Sequence, residues 1–230
     1  TGEMTVKEDF VDEKIIKVSG AGFKAEGSYL ENGQKIELES NAFKAFIKTA
    51  VLCNDALIER KGTDADYKVI GSSTEGALLI AAAKLQKFKE DFNAERVEEL
   101  PFNSERKMMS VLCIENNEKT VFCKGATEIV LKKCNHFISG NKIQELTPEK
   151  RKQIENALKD FYAKKYRVLA LAFKSQKTSE KSPKVRINIK DRIRHIYAKV
   201  LNFFNSKPGK RMSFTELAGK SREEKLAAFL

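Results

Sequence analysis

Met108-Met109-Ser110-Val111-Leu112-Cys113-Ile114-Glu115 is an apolar run closed by a charge, and Thr120-Val121-Phe122-Cys123-Lys124 is a second such run a few residues later. Both read as β-strands, and Glu115-Asn116-Asn117-Glu118-Lys119 between them reads as a hairpin turn. Val97–Leu100 upstream reads as a further strand. The fold class is therefore decided here: consecutive strands joined by a tight polar turn make an antiparallel sheet.

Working outward, helices surround these strands. Asn41–Leu52 has apolar residues at helical spacing: Phe43, Phe46, Ile47, Ala50 and Val51. Ser73–Phe92 reads as the strongest helix, and Ser72 with Glu75 has the spacing of a capping box. Thr127–Cys134 reads as a short helix. Thr147 caps another, with Pro148 at its first position, running to about Lys164. Phe10–Val18 and Lys35–Leu38 are β-rich, Tyr166–Phe173 reads as a last strand, and the charged stretch Glu59–Tyr67 looks disordered. Strands and helices mixed without a regular βαβ rhythm predict an α+β fold, a twisted, mostly antiparallel sheet flanked by helices.

Composition bounds the function. The 230 residues are 41% hydrophobic and 33% charged, as expected of a soluble globular chain. The longest apolar run, Ala77–Ala83, is far short of the roughly 20 residues that span a bilayer. The start, Thr1-Gly2-Glu3-Met4, has no secretory signal pattern, so a cytosolic location is expected. Cys53, Cys113, Cys123 and Cys134 form no CxxC pair and read as reduced thiols. With only His136 and His195 in the chain, no zinc site is expected. Residues 1–174 hold 29 Lys and Arg against 27 Asp and Glu, whereas 175–230 hold 14 against 5. That asymmetry predicts two modules, 1–174 and 185–230, with the polar stretch 175–184 as a linker and a small helical appendage after it.

Six stretches, in order, resemble the calcium-pump-like branch of the P-type cation-transporting ATPases. Thr1-Gly2-Glu3-Met4-Thr5-Val6 looks like the residues that follow that family's phosphorylation motif. Cys53-Asn54-Asp55-Ala56 is similar to its Cys-Asn-Asp-Ala. Ser72-Ser73-Thr74-Glu75-Gly76-Ala77-Leu78-Leu79 resembles Asp-Pro-Thr-Glu-Gly-Ala-Leu-Leu. Pro101-Phe102-Asn103-Ser104-Glu105-Arg106-Lys107-Met108-Met109-Ser110-Val111 matches a family stretch throughout. Lys124-Gly125-Ala126-Thr127-Glu128 is similar to Lys-Gly-Ala-Pro-Glu, and Arg167-Val168-Leu169-Ala170-Leu171-Ala172 closes the match. Ser72 and Ser73 replace Asp-Pro, and Thr127 replaces Pro. The tail 185–230, especially Ser213-Phe214-Thr215-Glu216-Leu217 and Ser221-Arg222-Glu223-Glu224, looks like part of the C-terminal winged helix of the kleisin segregation and condensation protein A.

The first resemblance implies that 1–174 is a nucleotide-binding domain. Its cofactor would be ATP (Mg-ATP in the intact pump), and its partners ATP or ADP and the phosphorylation domain of the parent. Contact with a membrane would come only through transmembrane segments outside this chain, with calcium the implied ion. No Walker A loop occurs, and the resemblance implies that an aromatic face and dispersed cations hold the nucleotide instead. Phe102 is the implied adenine platform, with packing in the core as its alternative. Glu75 is the implied acceptor for the adenine amino group, with helix capping as its alternative. Lys107 and Lys124, on neighbouring predicted strands, are implied to meet the purine and polyphosphate; the alternative is two solvated lysines. Gly125 would allow close backbone approach. Arg167 would offer a planar fork to a phosphate or, alternatively, pair with a carboxylate. Ser104 stands where some relatives carry a basic residue.

No Asp-Lys-Thr-Gly motif and no magnesium-holding Gly-Asp-Gly-x-Asn-Asp segment occurs in the chain, so binding without turnover is expected. The tail suggests two other roles. Its basic charge would suit nucleic acid, which few free aromatics disfavours, and its apolar stripe would suit a protein partner of kleisin type. A small autonomous kinase is disfavoured for want of an acidic metal site.

Overall fold

Asp12 and Glu13 adopt left-handed backbone (φ 58° and 63°) and turn the first β-rich stretch back on itself. It is thus two strands, β1 (Glu8–Val11) and β2 (Lys14–Val18), and β3 (Tyr29–Glu31) and β4 (Gln34–Lys35) extend the sheet in the order β1-β2-β3-β4. The computed structural model describes residues 2–37, 39–62 and 65–177, all within one unit, Thr1–Lys177. The expectations for 185–230, and Leu38 at the end of one predicted strand, lie outside the described residues.

Helix α1 (Asn41–Leu52) has the predicted bounds because its start is capped. The Ser40 hydroxyl accepts from the Phe43 N–H at 3.2 Å, and the helix buries Phe43, Ile47 and Val51. A hairpin follows, β5 (Leu57–Arg60) with β6 (Tyr67–Ile70). It corrects the expectation of disorder over 59–67, whose described residues at both ends are paired strand. Helix α2 (Ser73–Ala83) stops nine residues short of the predicted Phe92. Gln86 turns left-handed (φ 54°). The Lys87 N–H then reaches back to the Ala82 carbonyl and the Gln86 N–H to the Ala83 carbonyl, which closes the helix. A single 3₁₀ turn, Lys89–Asp91, follows.

The decisive hairpin forms as read. Strand β8 (Met108–Glu115) turns through Asn116 and Asn117, both at positive φ, into β9 (Glu118–Gly125). Two adjacent left-handed residues are what a two-residue turn matched to strand twist requires, and asparagine tolerates them. Strand β7 (Glu95–Asn103) lies outside β8. After helix α3 (Thr127–Lys133), hairpin β10 (His136–Ser139) with β11 (Lys142–Glu145) and helix α4 (Pro148–Ala163), strand β12 completes the second sheet, in the order β12-β9-β8-β7. Strand β12 spans Ala170–Lys177, not Tyr166–Phe173: it follows β9 in register from Gly125 to Glu118, so pairing carries it into the start of the expected linker. Thr147 caps α4 as read, its hydroxyl accepting from the Lys150 N–H at 3.3 Å.

All strand pairs are antiparallel, so the fold is α+β. One core joins the first sheet to α1 and α2 through Val11, Ile16, Val18, Tyr29, Phe43 and Leu79. Tyr29 and Phe43 meet edge to face with centroids 5.3 Å apart, and the Tyr29 hydroxyl donates to the Ala81 carbonyl at 2.9 Å. A second core lies on the other sheet, built from Leu52, Met109, Val111, Cys113 and Phe122. The four cysteines are free, and burial pushes the Cys53 thiol up to about 12, which leaves little thiolate to react. No described helix is long and apolar enough to cross a membrane.

Candidate functional site

Six residues were singled out from the sequence, and contacts through the β7–β8 turn, the end of β9 and the start of α2 link them. Glu75 lies in the first turn of α2. The capping box predicted for it does not form: Ser72 occupies the cap position without a side-chain hydrogen bond. The Glu75 carboxylate instead accepts from the Lys124 ammonium of β9, and from the Asp55 N–H at 3.4 Å. A charge-assisted bond across the fold outweighs a local cap.

Lys124 is 7% exposed, and its ammonium also donates to the Cys53 carbonyl at 2.6 Å. It is neither solvated nor free. Gly125 follows it. A Cβ there would lie 2.5 Å from both the Lys107 carbonyl oxygen and the Met108 Cβ. The glycine therefore admits the neighbouring strand, a reason visible within the chain itself.

Phe102 is 64% exposed, which removes the alternative of core packing. The β7–β8 register runs Leu100↔Ser110 and then Asn103↔Met108, so β7 carries one extra residue across Pro101 and Phe102. Such a bulge re-aims a side chain. Because Met109 pairs with Lys124, the bulge stands two strands from that lysine, about 10 Å at ordinary strand spacing.

Lys107 does not lie on a strand. It ends the turn before β8 at φ 53°, exposed, with its N–H donating to the Asn103 carbonyl at 2.7 Å and its carbonyl accepting from the Ala126 N–H at 2.8 Å. Arg167 precedes β12 rather than lying on it. It is exposed, and its guanidinium donates to the Thr74 hydroxyl at 2.9 Å, so it is anchored one residue from Glu75 and not by a carboxylate.

Other residues support this arrangement and had no role in the sequence reading. The Asn54 amide donates to the Ala50 and Glu75 carbonyls, both at 3.0 Å, and its side-chain oxygen accepts from the Ala56 N–H. That asparagine ties the end of α1 to the start of α2. The Asn54 carbonyl accepts from Lys89 at 3.0 Å and Arg96 at 3.3 Å, and Arg96 pairs with Asp55 at 2.6 Å. Burial, with Arg96 nearby, holds the Lys89 ammonium below the usual lysine range, against the opposing pull of Asp55 and Glu75. The only sequence signal for this knot was the four-residue stretch Cys53–Ala56 itself.

An exposed ring, a carboxylate and three cations (Lys107, Lys124 and Arg167) gathered at one end of a sheet can take a flat polar base and an attached anion. The family described as P-type ATPase, cytoplasmic domain N, matches residues 42–214. That match runs through 175–184 and into 185–214, part of the segment expected from its sequence to be a kleisin-like tail. A calcium-transporting ATPase of Bacillus subtilis is 31% identical over 183 residues, covering 77% of this chain and 20% of the relative. Calcium-transporting ATPase 1 of Lactococcus lactis is 34% identical over 133 residues, covering 57% and 15%. The human calcium-transporting ATPase type 2C member 1 is 32% identical over 178 residues, covering 74% and 18%. The chain thus spans a fifth or less of the length of these relatives.

Proposed function

The chain belongs to the family of P-type ATPase cytoplasmic N domains, and from that premise we propose that residues 1–177 bind ATP and ADP for a calcium-transporting pump on its cytosolic side, without turning ATP over by themselves. The observation that carries this reading is Phe102. It is 64% exposed, and its ring is raised on a bulge of the same sheet that carries Lys124, the partner of Glu75.

In this reading adenine stacks on the Phe102 ring. The Lys124 ammonium and the Asp55 N–H both meet the Oε1 oxygen of Glu75, which leaves Oε2 to accept the adenine amino group, a donor that guanine lacks at the equivalent edge. Lys107 and Arg167, both exposed, face the polyphosphate, and Arg167 is pre-oriented by Thr74. Ser104 supplies no charge, so one phosphate contact is weaker than in relatives with a basic residue there. Phosphoryl transfer further requires an in-line nucleophile and stabilisation of the moving group. The phosphorylation domain of the parent would supply both, with magnesium bound to ATP. An open half-site of this kind gives a dissociation constant of roughly 0.1–1 mM, about 4–5.5 kcal/mol.

Titration with ATP, ADP and GTP, read by calorimetry and amide shifts, tests the proposal. Weak saturable binding that prefers adenine and disappears in Phe102→Ala is expected. Equal affinity for GTP, or steady hydrolysis that Phe102→Ala abolishes, overturns the adenine assignment or the absence of turnover respectively.

A further inference from the structure

Arg106 was not a candidate in the sequence, yet it occupies the turn between the bulge and β8. Its Nη2 donates to the Met108 carbonyl at 2.6 Å and to the Pro101 carbonyl at 3.4 Å. Those two carbonyls stand on either side of the Phe102 bulge, one in β7 and one in β8. The turn is further tied by Asn103, whose side-chain oxygen accepts from the Glu105 N–H at 2.7 Å and the Arg106 N–H at 3.3 Å. Met108 in turn pairs with Gly125. One guanidinium therefore spans the strand that raises the ring and the strand that abuts Lys124-Gly125.

The side chain is costly to place there. Its Nε is buried with no hydrogen-bond partner among the described residues, and burial holds the guanidinium below the usual arginine range. Among the described residues no carboxylate lies within ion-pair distance of it. A methionine or leucine would fill such a space without the desolvation cost, so the guanidinium Nη2, which donates to both carbonyls, is what the position uses.

We propose that Arg106 is a positioning residue for the base platform: by clamping the Pro101 and Met108 carbonyls it fixes the bulge and so the orientation of the Phe102 ring, and it does not itself contact phosphate. This rests on the nucleotide reading above for its ligand, though not for its geometry. Lysine keeps the charge but lacks the rigid guanidinium plane that carries Nη2 to both carbonyls, and so should not replace it.

The chain has no tryptophan, so Phe102→Trp introduces a single emitting indole at the platform. The measurements are the anisotropy of that indole without ligand, and its quenching by adenosine and by ADP, in Phe102→Trp with and without Arg106→Lys. Melting curves and far-UV dichroism check that both fold. The expected result is lower anisotropy in the Arg106→Lys variant, with affinity for adenosine and for ADP reduced by the same factor, about tenfold. Unchanged anisotropy overturns the proposal. So does a loss confined to ADP, which would make Arg106 a phosphate cation. If neither ligand quenches the parent indole while anisotropy still falls on Arg106→Lys, the clamp stands and the nucleotide reading fails.

Discussion

Asp9 and Lys124 are buried to the same degree, 7% exposed each, and are wired in opposite ways. Lys124, on the second sheet, is met by the Glu75 carboxylate and the Cys53 carbonyl. Asp9, on the first sheet, points with Val11 toward an apolar core, and its Oδ2 has no hydrogen-bond partner among the described residues. Burial alone raises its carboxyl to about 7, while burial first and the Asp9 charge second push the Tyr29 hydroxyl upward. The contrast shows what a partner does for a buried charge. At Lys124 the charge is built into the candidate site; at Asp9 it is resolved by keeping the proton.

The largest expected effect comes from Asp9. Its carboxyl titrates at 3.8 when exposed and at about 7 when folded, so its contribution favours the folded state fully below pH 3.8 and is lost as pH rises to about 7. The gap of roughly three units corresponds to about 4 kcal/mol. Urea unfolding between pH 5 and 8 should show falling stability in the parent and a flatter profile in Asp9→Asn. Parallel profiles would show that the two buried charges are not different in kind.

Next in size is the pair on the second sheet. Lys124→Met leaves the Glu75 carboxylate, itself only 17% exposed, without its cation, and should destabilise by about 3 kcal/mol. Lys124→Met with Glu75→Gln should recover most of that loss, because it removes both charges together. If the double variant melts no higher than the single one, the lysine matters for packing rather than for pairing.

The smallest effect sharpens the contrast from the other side. Phe102 buries little, so Phe102→Ala should change unfolding free energy by less than about 0.5 kcal/mol, measured by the same urea curves. A loss near 3 kcal/mol would place the ring in a packed environment and contradict its reading as a platform.

The parts of the fold that were legible in the sequence are those whose local chemistry and tertiary role agree. The Asn116-Asn117 turn, the α1 periodicity behind Ser40, and Thr147-Pro148 at the head of α4 each state their structure within a few residues. Hairpin β10–β11 was missed because its strands carry almost no apolar alternation; all four residues of Lys142–Glu145 are exposed. The end of α2 was misplaced because the apolar pattern continues through Leu85 and Phe88, while Gln86 breaks the helix with a backbone turn that no side-chain period reveals.

The candidate site divides in the same way. The sequence by itself determined the fold class and the family resemblance and nominated the six residues, since runs of neighbouring residues carry all three. Only the tertiary structure decided how those residues are used. It turned Glu75 from a helix cap to the Lys124 ammonium, and anchored Arg167 on a hydroxyl rather than a carboxylate. It also took Lys107 off its strand into a turn, and set Arg106 across a bulge. Each is a contact between segments distant in sequence or a backbone angle set by strand pairing, and long-range contacts of that kind are fixed only when the sheets close.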